Sequence, residues 1–330
     1  MIRRLFTRVL QVCLLAMIAF AGWFAWFAYT LIPLPTAPFY FSIKHGSSLK
    51  SSARQISASG LPMSAWQFEW MARLLGKGRD LKAGNYQLTE AITPLDLLTK
   101  LRLGDALQSE ITFIEGHTFA QMRKILAAHG GLKPDSAQLP DQAVLKLVGA
   151  KEPHPEGLFF PDTYVFSGGM SDVSLLKRAY QTMQTNLANA WEKRAPDLPY
   201  ATSYEALIMA SIVEKETGKA EERPRIAAVF VNRLKRGMKL QTDPTVIYGL
   251  GDRFDGNIHK RDLTADTPYN TYTRAGLPPT PIAMPGLAAI EAALRPDTTN
   301  DLYFVAKGDG SHYFSKSLEE HNRAVAKYQR

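Results

Sequence analysis

Glu214, Glu216 and Glu222 fall in one short stretch, ALIMASIVEKETGKAEERP, which begins at Ala206. A positioned carboxyl group can deliver a proton and take one back, so acids clustered like this are candidates for general acid–base work. The run before Glu214 is almost wholly apolar, which carries Glu214 and Glu216 out of a buried helix to its end. At helical spacing Glu216 shares a stripe with Met209, Ile212 and Val213, whereas Glu214 stands over Leu207, Ala210 and Ser211. Both acids lie in a last turn, where the helix dipole disfavours negative charge. Desolvation adds to that at Glu216 and raises its pKa, which suits a general acid. Glu222 is the opposite case. It opens the next helix, with Pro224 in the first turn, so the dipole favours its ionised form. Solvated helix ends or structural ion pairs would have the same spacing, because such pairs also perturb carboxylates.

The elements that hold these acids are legible. Thr202 and Glu205 form a capping-box signature, so a helix starts near Ser203; Gly218 stops it just past Thr217. An amphipathic helix follows. Two polar loops come next, Gln241–Gly249 and Thr267–Tyr272, rich in the amides, hydroxyls and phenols that suit a glycan. A stiffer one, Gly276–Pro281, reads as a cleft wall. Helices are expected at 136–148, 174–191 and 285–294, a strand or hairpin at 302–314, and a basic helix at the end. The aromatic turn Glu156–Tyr164 suits either stacking on sugar rings or a core. Together these make an α+β domain.

At 330 residues the chain is long enough for about two domains. A net charge of +8 fits an anionic partner such as a membrane surface, cell wall or nucleic acid. No Walker loop, zinc-finger spacing or RNP-like aromatic pattern supports nucleic acid. The seven histidines form no HExxH-like set, so neither a metal nor another cofactor is expected. Cys13 is the single cysteine, which excludes a disulfide within the chain.

Residues Val9–Ile32 are apolar except for Gln11, Gly22 and Thr30, long enough for a bilayer span of about 20 residues. Arg3, Arg4 and Arg8 precede this run and no Lys or Arg follows before Lys44, so the tail is expected inside and the rest exported. A cleaved signal peptide fits less well, since the run is long and Tyr29-Thr30-Leu31 is a poor cleavage site. Trp23, Trp26 and Tyr29 resemble an interfacial belt, and Pro33, Pro35 and Pro38 a stiff stalk.

Beyond the stalk, two segments match at an offset of 70, aligning Gly46 with Gly116, Leu49 with Phe119, Ile56 with Leu126 and Gly60 with Gly130. Each reads as a strand, a Gly turn at Lys44-His45-Gly46 or its counterpart, a short helix and a Gly stop. With a second strand at 82–88 and a second helix at 94–102, the region resembles LysM, a glycan-binding module.

The chain resembles the MltG, or YceG-like, family of membrane-anchored endolytic murein transglycosylases. The residues that carry the resemblance are Ala210–Thr217, Val231-Asn232-Arg233-Leu234, Gln241–Gly249, Tyr269–Tyr272, Gly276–Pro279 and Leu302–Val305. It implies a cytoplasmic tail (1–8), an inner-membrane anchor (9–32), a stalk (33–38), a LysM-like module (39–106) and an exported catalytic domain (107–330). It also implies that Glu216 is the sole acid/base and cuts the β-1,4 bond between N-acetylmuramic acid and N-acetylglucosamine without water, leaving 1,6-anhydro ends. Glu222, Asn232, Gln241, Thr242, Asp243, Tyr248, Asn270 and Tyr272 are the expected substrate-binding residues. The partners are glycan strands, the membrane and peptidoglycan synthases. Two rivals differ in class: a hydrolytic muramidase with Asp243 as second carboxylate, and a non-catalytic wall-binding scaffold.

Overall fold

The apolar run at the N-terminus forms one helix, α1 (Ile2–Tyr29), of which Leu10–Tyr29 is long and apolar enough to cross a membrane. The computed structural model describes residues 2–44, 46–104, 108–216 and 218–329. Met1, His45, Ala106, Thr217 and Arg330, which figure in the expected tail, Gly turn, module boundary, acid motif and domain end, lie outside the described residues. Helices and small sheets are mixed, and each sheet among the described residues is a two-stranded pair.

The chain divides into two units, residues 1–110 with 165–170, and 111–164 with 171–330. In the first, α1 leads to β1 (Phe39–Ile43), α2 (Leu49–Ala58), α3 (Ala65–Leu74), β2 (Gly84–Leu88) and α4 (Pro94–Leu103). Strands β1 and β2 pair antiparallel with Phe41 opposite Tyr86, and alternate residues of β1 turn inward. They close on Ile56, Phe68, Met71, Leu97, Leu98 and Leu101. Helix α3 was not anticipated; Ser64 starts it without a side-chain cap, and only Phe68, Met71 and Ala72 are buried. Phe27, Ala28 and Ile32 belong to the same core, and Ile32 bridges to Ile92, so burial of the helix end holds module and helix together.

Three strands, β3 (Gln108–Thr112), β5 (Thr163–Ser167) and β6 (Met170–Ser171), are divided between the units, and the second unit adds α5 (Phe119–Ala128), β4 (Leu132–Lys133), α6 (Asp141–Val148) and α7 (Asp172–Glu192). Helices α8 (Ser203–Glu216), α9 (Arg223–Lys235), α10 (Asp243–Leu250), α11 (Lys260–Thr264) and α12 (Leu287–Leu294) follow, then β7 (Tyr303–Ala306), β8 (His312–Ser315) and α13 (Leu318–Tyr328). The repeat at offset 70 recurs in three dimensions. Gly46 and Gly116 both take positive φ, and α2 and α5 start from Ser48 and Thr118 caps, but Gly130 lacks the left-handed turn of Gly60. Helix α6 is shorter than expected because the chain is extended at Pro140. The aromatic turn is core: Leu158 and Phe159 are fully buried, and Phe159 stacks on Phe119 at 5.0 Å.

Candidate active site

Helix α8 is the axis of the second unit, packed by α7, α9, α10 and α12. The expected cap forms: Glu205 N donates to Thr202 Oγ1 at 3.2 Å, and the Glu205 carboxylate accepts from Ala201 N at 2.6 Å. Every residue from Ala206 to Val213 is buried. Helix α9 departs from the expected amphipathic pattern, since Ile226–Val231 are all buried; neighbours enclose it on more than one side. Two bonds tie the segment before α12 to α8. Ser211 Oγ accepts from Ile282 N at 3.0 Å, and Glu214 Oε2 accepts from Gly286 N at 3.0 Å.

The expected loop at Gln241–Gly249 is mostly helix α10, because Thr242 is extended at its N-cap and Pro244 suits the first turn. Gln241 enters it with a left-handed backbone, φ 51°. Burying the N-cap brings Thr242 to the end of α8, where its hydroxyl donates to Glu216 Oε1. Thr242 is itself held. Its N–H donates to Thr271 Oγ1 at 3.1 Å, its carbonyl accepts from Thr245 Oγ1 at 2.7 Å, and Thr245 and Thr271 share a 2.9 Å bond.

Glu216 borders a cleft of about 610 Å³. Burial raises its pKa to about 7, and Asp243 pushes the same way, against the Thr242 bond and the charges of His312 and Arg233. Of the expected substrate-binding residues, Gln241, Thr242, Asp243 and Tyr272 line this cleft with Glu216. Tyr272 donates its hydroxyl to Asp243 Oδ1 at 2.5 Å.

Four expected residues do not line it, and their polar groups are engaged elsewhere. Asn232 donates to the carbonyls of Thr299 and Asp301, at 2.9 and 3.1 Å. Asn270 is buried and donates to the carbonyls of Asp262, Leu263 and Ala265, which pins the second loop. Tyr248 donates to Glu156 Oε2 at 3.0 Å and packs edge-on against Tyr269. Glu222 stands behind the cleft wall, accepting from His312 N at 3.1 Å and pairing with the His312 ring at 2.7 Å. Partial burial works to raise its pKa, but the His312 bonds outweigh that and hold it below the usual range.

The cleft also holds polar residues to which the sequence assigns no site role, among them His312, Tyr303 and Arg233. His312 and Tyr303 reach the cleft from the β7–β8 pair, and Arg233 from α9. Arg233 is buried, donates from Nε to the Leu302 carbonyl at 2.6 Å, and lies over the Tyr303 ring. An arginine amid the apolar residues of α9 was the available signal, because a buried cation needs partners.

Residues 41–327 match the YceG-like family. The chain is 34% identical over 304 residues to the endolytic murein transglycosylase of Bacillus subtilis, covering 87% of this chain and 84% of that one. It is 30% identical to the endolytic murein transglycosylase of Streptococcus pneumoniae, covering 87% of this chain and 57% of the longer relative. The crystal structure of a yceG-like protein of Listeria monocytogenes, lmo1499, is similar with a TM-score of 0.54 and 32% identity, over 87% of this chain and 99% of that one.

Proposed function

The chain belongs to the YceG-like family, and from that membership we propose that it is an endolytic lytic transglycosylase of peptidoglycan, with Glu216 as its acid/base. The observation that carries this is a carboxyl group at the end of a buried helix, facing a cleft, with a pKa raised to about 7 by burial. Such a group is protonated in a useful fraction near neutral pH and ionised readily once it has given its proton up.

In this reading Glu216 protonates the oxygen between N-acetylmuramic acid and N-acetylglucosamine, and the C1–O bond breaks. The muramic O6 closes on C1, and its proton returns to the Glu216 carboxylate. One acid suffices because the nucleophile belongs to the substrate; two-carboxylate glycosidases hold a pair about 5–9.5 Å apart. Thr242 orients Glu216, while Gln241, Asp243 and Tyr272 meet the glycan. Glu222 positions His312, and Asn232, Tyr248 and Asn270 brace the walls.

The anchor reading is supported by the apolar stretch Leu10–Tyr29, and the export of the rest by the arginines before it. The β1–α2–α3–β2 order, closed by an antiparallel pair, supports a LysM-like glycan-binding role for the first unit. Peptidoglycan synthases are natural partners for an enzyme that cuts nascent strands.

A hydrolytic reading has one observation in its favour, the second carboxylate, Asp243, in the same cleft. Product analysis separates the two. Mass spectrometry of sacculi treated with the purified protein is expected to find 1,6-anhydromuramic ends. Reducing muramic ends would transfer the assignment to the hydrolase.

A further inference from the structure

Helix α3 buries Phe68, Met71 and Ala72 but leaves Trp66, Trp70 and Leu74 exposed, at 59%, 58% and 53%. Spaced by four, these three form one apolar stripe away from the core. Two exposed tryptophans on one face of a short helix are an unusual cost for a surface that meets only water.

What meets that stripe can be read from α1. Trp66 stacks on Trp23 with ring centroids 6.0 Å apart and planes within 13°. Trp23 in turn stacks on Phe27 at 6.3 Å. An apolar cavity of about 260 Å³ lies along this contact, lined by Phe20, Trp23 and Phe27 from α1 and Trp66, Trp70 and Leu74 from α3, among others. The two apolar surfaces are therefore continuous.

Depth follows from helix geometry. At 1.5 Å per residue, Trp23 lies about 9 Å inside the Tyr29 end of the apolar stretch. From Arg8 to Trp23 the rise is about 22 Å, less than the ~30 Å hydrocarbon thickness. With Arg8 at one membrane face, Trp23 cannot clear the opposite face, and the Trp66 ring shares its level. Interfacial helices sink about 5–10 Å into the headgroup and acyl boundary, which is the depth required here. Lys77 and Arg79 follow α3 directly and offer charge to anionic headgroups.

We propose that the Trp66–Trp70–Leu74 face of α3 is a second membrane contact, seated in the leaflet at the Tyr29 end of α1. It rests on the reading of α1 as a bilayer span. Because α3 shares a core with β1, β2 and α4, this contact holds the first unit at the bilayer surface instead of letting it swing on a tether.

The test uses full-length protein carrying Cys13→Ser and one new cysteine, Leu74→Cys or Ile18→Cys, labelled with a nitrobenzoxadiazole dye. It is reconstituted in vesicles of phosphatidylethanolamine and phosphatidylglycerol. The label at position 18 is expected to be quenched by nitroxides deep in the acyl chains. The label at position 74 is expected to be quenched by nitroxides near the headgroup and shielded from iodide. Adding Trp66→Glu and Trp70→Glu, both at exposed positions, should open position 74 to iodide and leave position 18 unchanged; no shift would count against the proposal. Iodide access at 74 alongside lipid quenching at 18 overturns the inference and leaves the span standing. Shielding of 74 from both quenchers points to a protein partner and also overturns it. Absence of lipid quenching at 18 removes the span reading, and the inference with it.

Discussion

Glu216 and Glu156 are both pushed to about 7, and in both the largest cause is burial. Their surroundings differ in a way that their pKa values do not report. Glu156 is 3% exposed, and its two oxygens accept from Phe119 N at 2.9 Å and Tyr248 Oη at 3.0 Å. Glu216 accepts from Thr242 on one oxygen and borders a cleft of about 610 Å³. A raised pKa records desolvation, and desolvation occurs wherever a carboxyl group is enclosed. Access to a space large enough for substrate is what separates a proton donor from a structural knot.

The largest effect expected from this contrast is at Glu216. Glu216→Gln keeps the shape and the acceptor for Thr242 but cannot release and recover a proton. Loss of a general acid typically lowers rates by about 10²–10⁴-fold. Turnover of purified sacculi should fall by that much with glycan binding kept. With Glu216 as the proposed acid, only its protonated form would cut, so kcat/KM should hold below about pH 7 and decline above it. A Glu216→Gln protein that cuts at the wild-type rate would end the assignment.

Glu156→Gln gives the opposite pattern, a change in stability with little change in turnover. A carboxyl group whose folded pKa is raised favours folding fully below its ordinary value of 4.5, and that contribution is lost as pH rises to about 7. For Glu156 the difference between these limits is on the order of 3 kcal/mol. The wild type should therefore lose stability from about pH 4.5 to 7, and Glu156→Gln should flatten part of that slope in denaturant titrations of detergent-solubilised protein. Glu216→Gln should flatten another part. Only one of the two variants should lose cleavage, and loss of cleavage by both would dissolve the distinction.

How far the sequence reveals this arrangement varies with the kind of interaction. Local signals carried well. The Thr202–Glu205 cap, the all-apolar body of α8 and the twin Gly46 and Gly116 turns each depend on residues a few positions apart. Thr242 is a different case. Its polar neighbours read as a loop, and its place beside Glu216 depends on a helix start buried 26 residues further on. His312, Arg233 and Tyr303 carry no site signal in sequence because they come from three separate elements, with no short-range pattern joining them. Asn232 and Asn270 look like ligand-binding amides in sequence, yet their donors serve backbone carbonyls that only the fold brings near. Helix α3 has a weak sequence signal because its exposed tryptophans blur the alternation between an apolar and a polar face.

The smallest expected effect is at Glu214, two residues from the proposed acid and on the same last turn. Burial raises its pKa too, but its Oε2 accepts from Gly286 N at 3.0 Å and its Oε1 lies 3.8 Å from the Arg223 guanidinium. It does not line the cleft. Glu214→Gln can keep the Gly286 bond through its carbonyl and loses the charge facing Arg223, a 3.8 Å contact between two mostly buried side chains, so its cost falls on stability more than on turnover. The melting midpoint should drop slightly and turnover should stay within about tenfold of wild type. Glu214→Ala, which removes the acceptor for Gly286, should cost more stability, because a buried N–H is then left without a partner. Measured side by side with Glu216→Gln on the same sacculi, the ranking is decisive. If Glu214→Gln were the more damaging to cleavage while remaining folded, the acid would have to be reassigned by two residues, and the cleft beside Thr242 would become a binding wall instead of the reacting one.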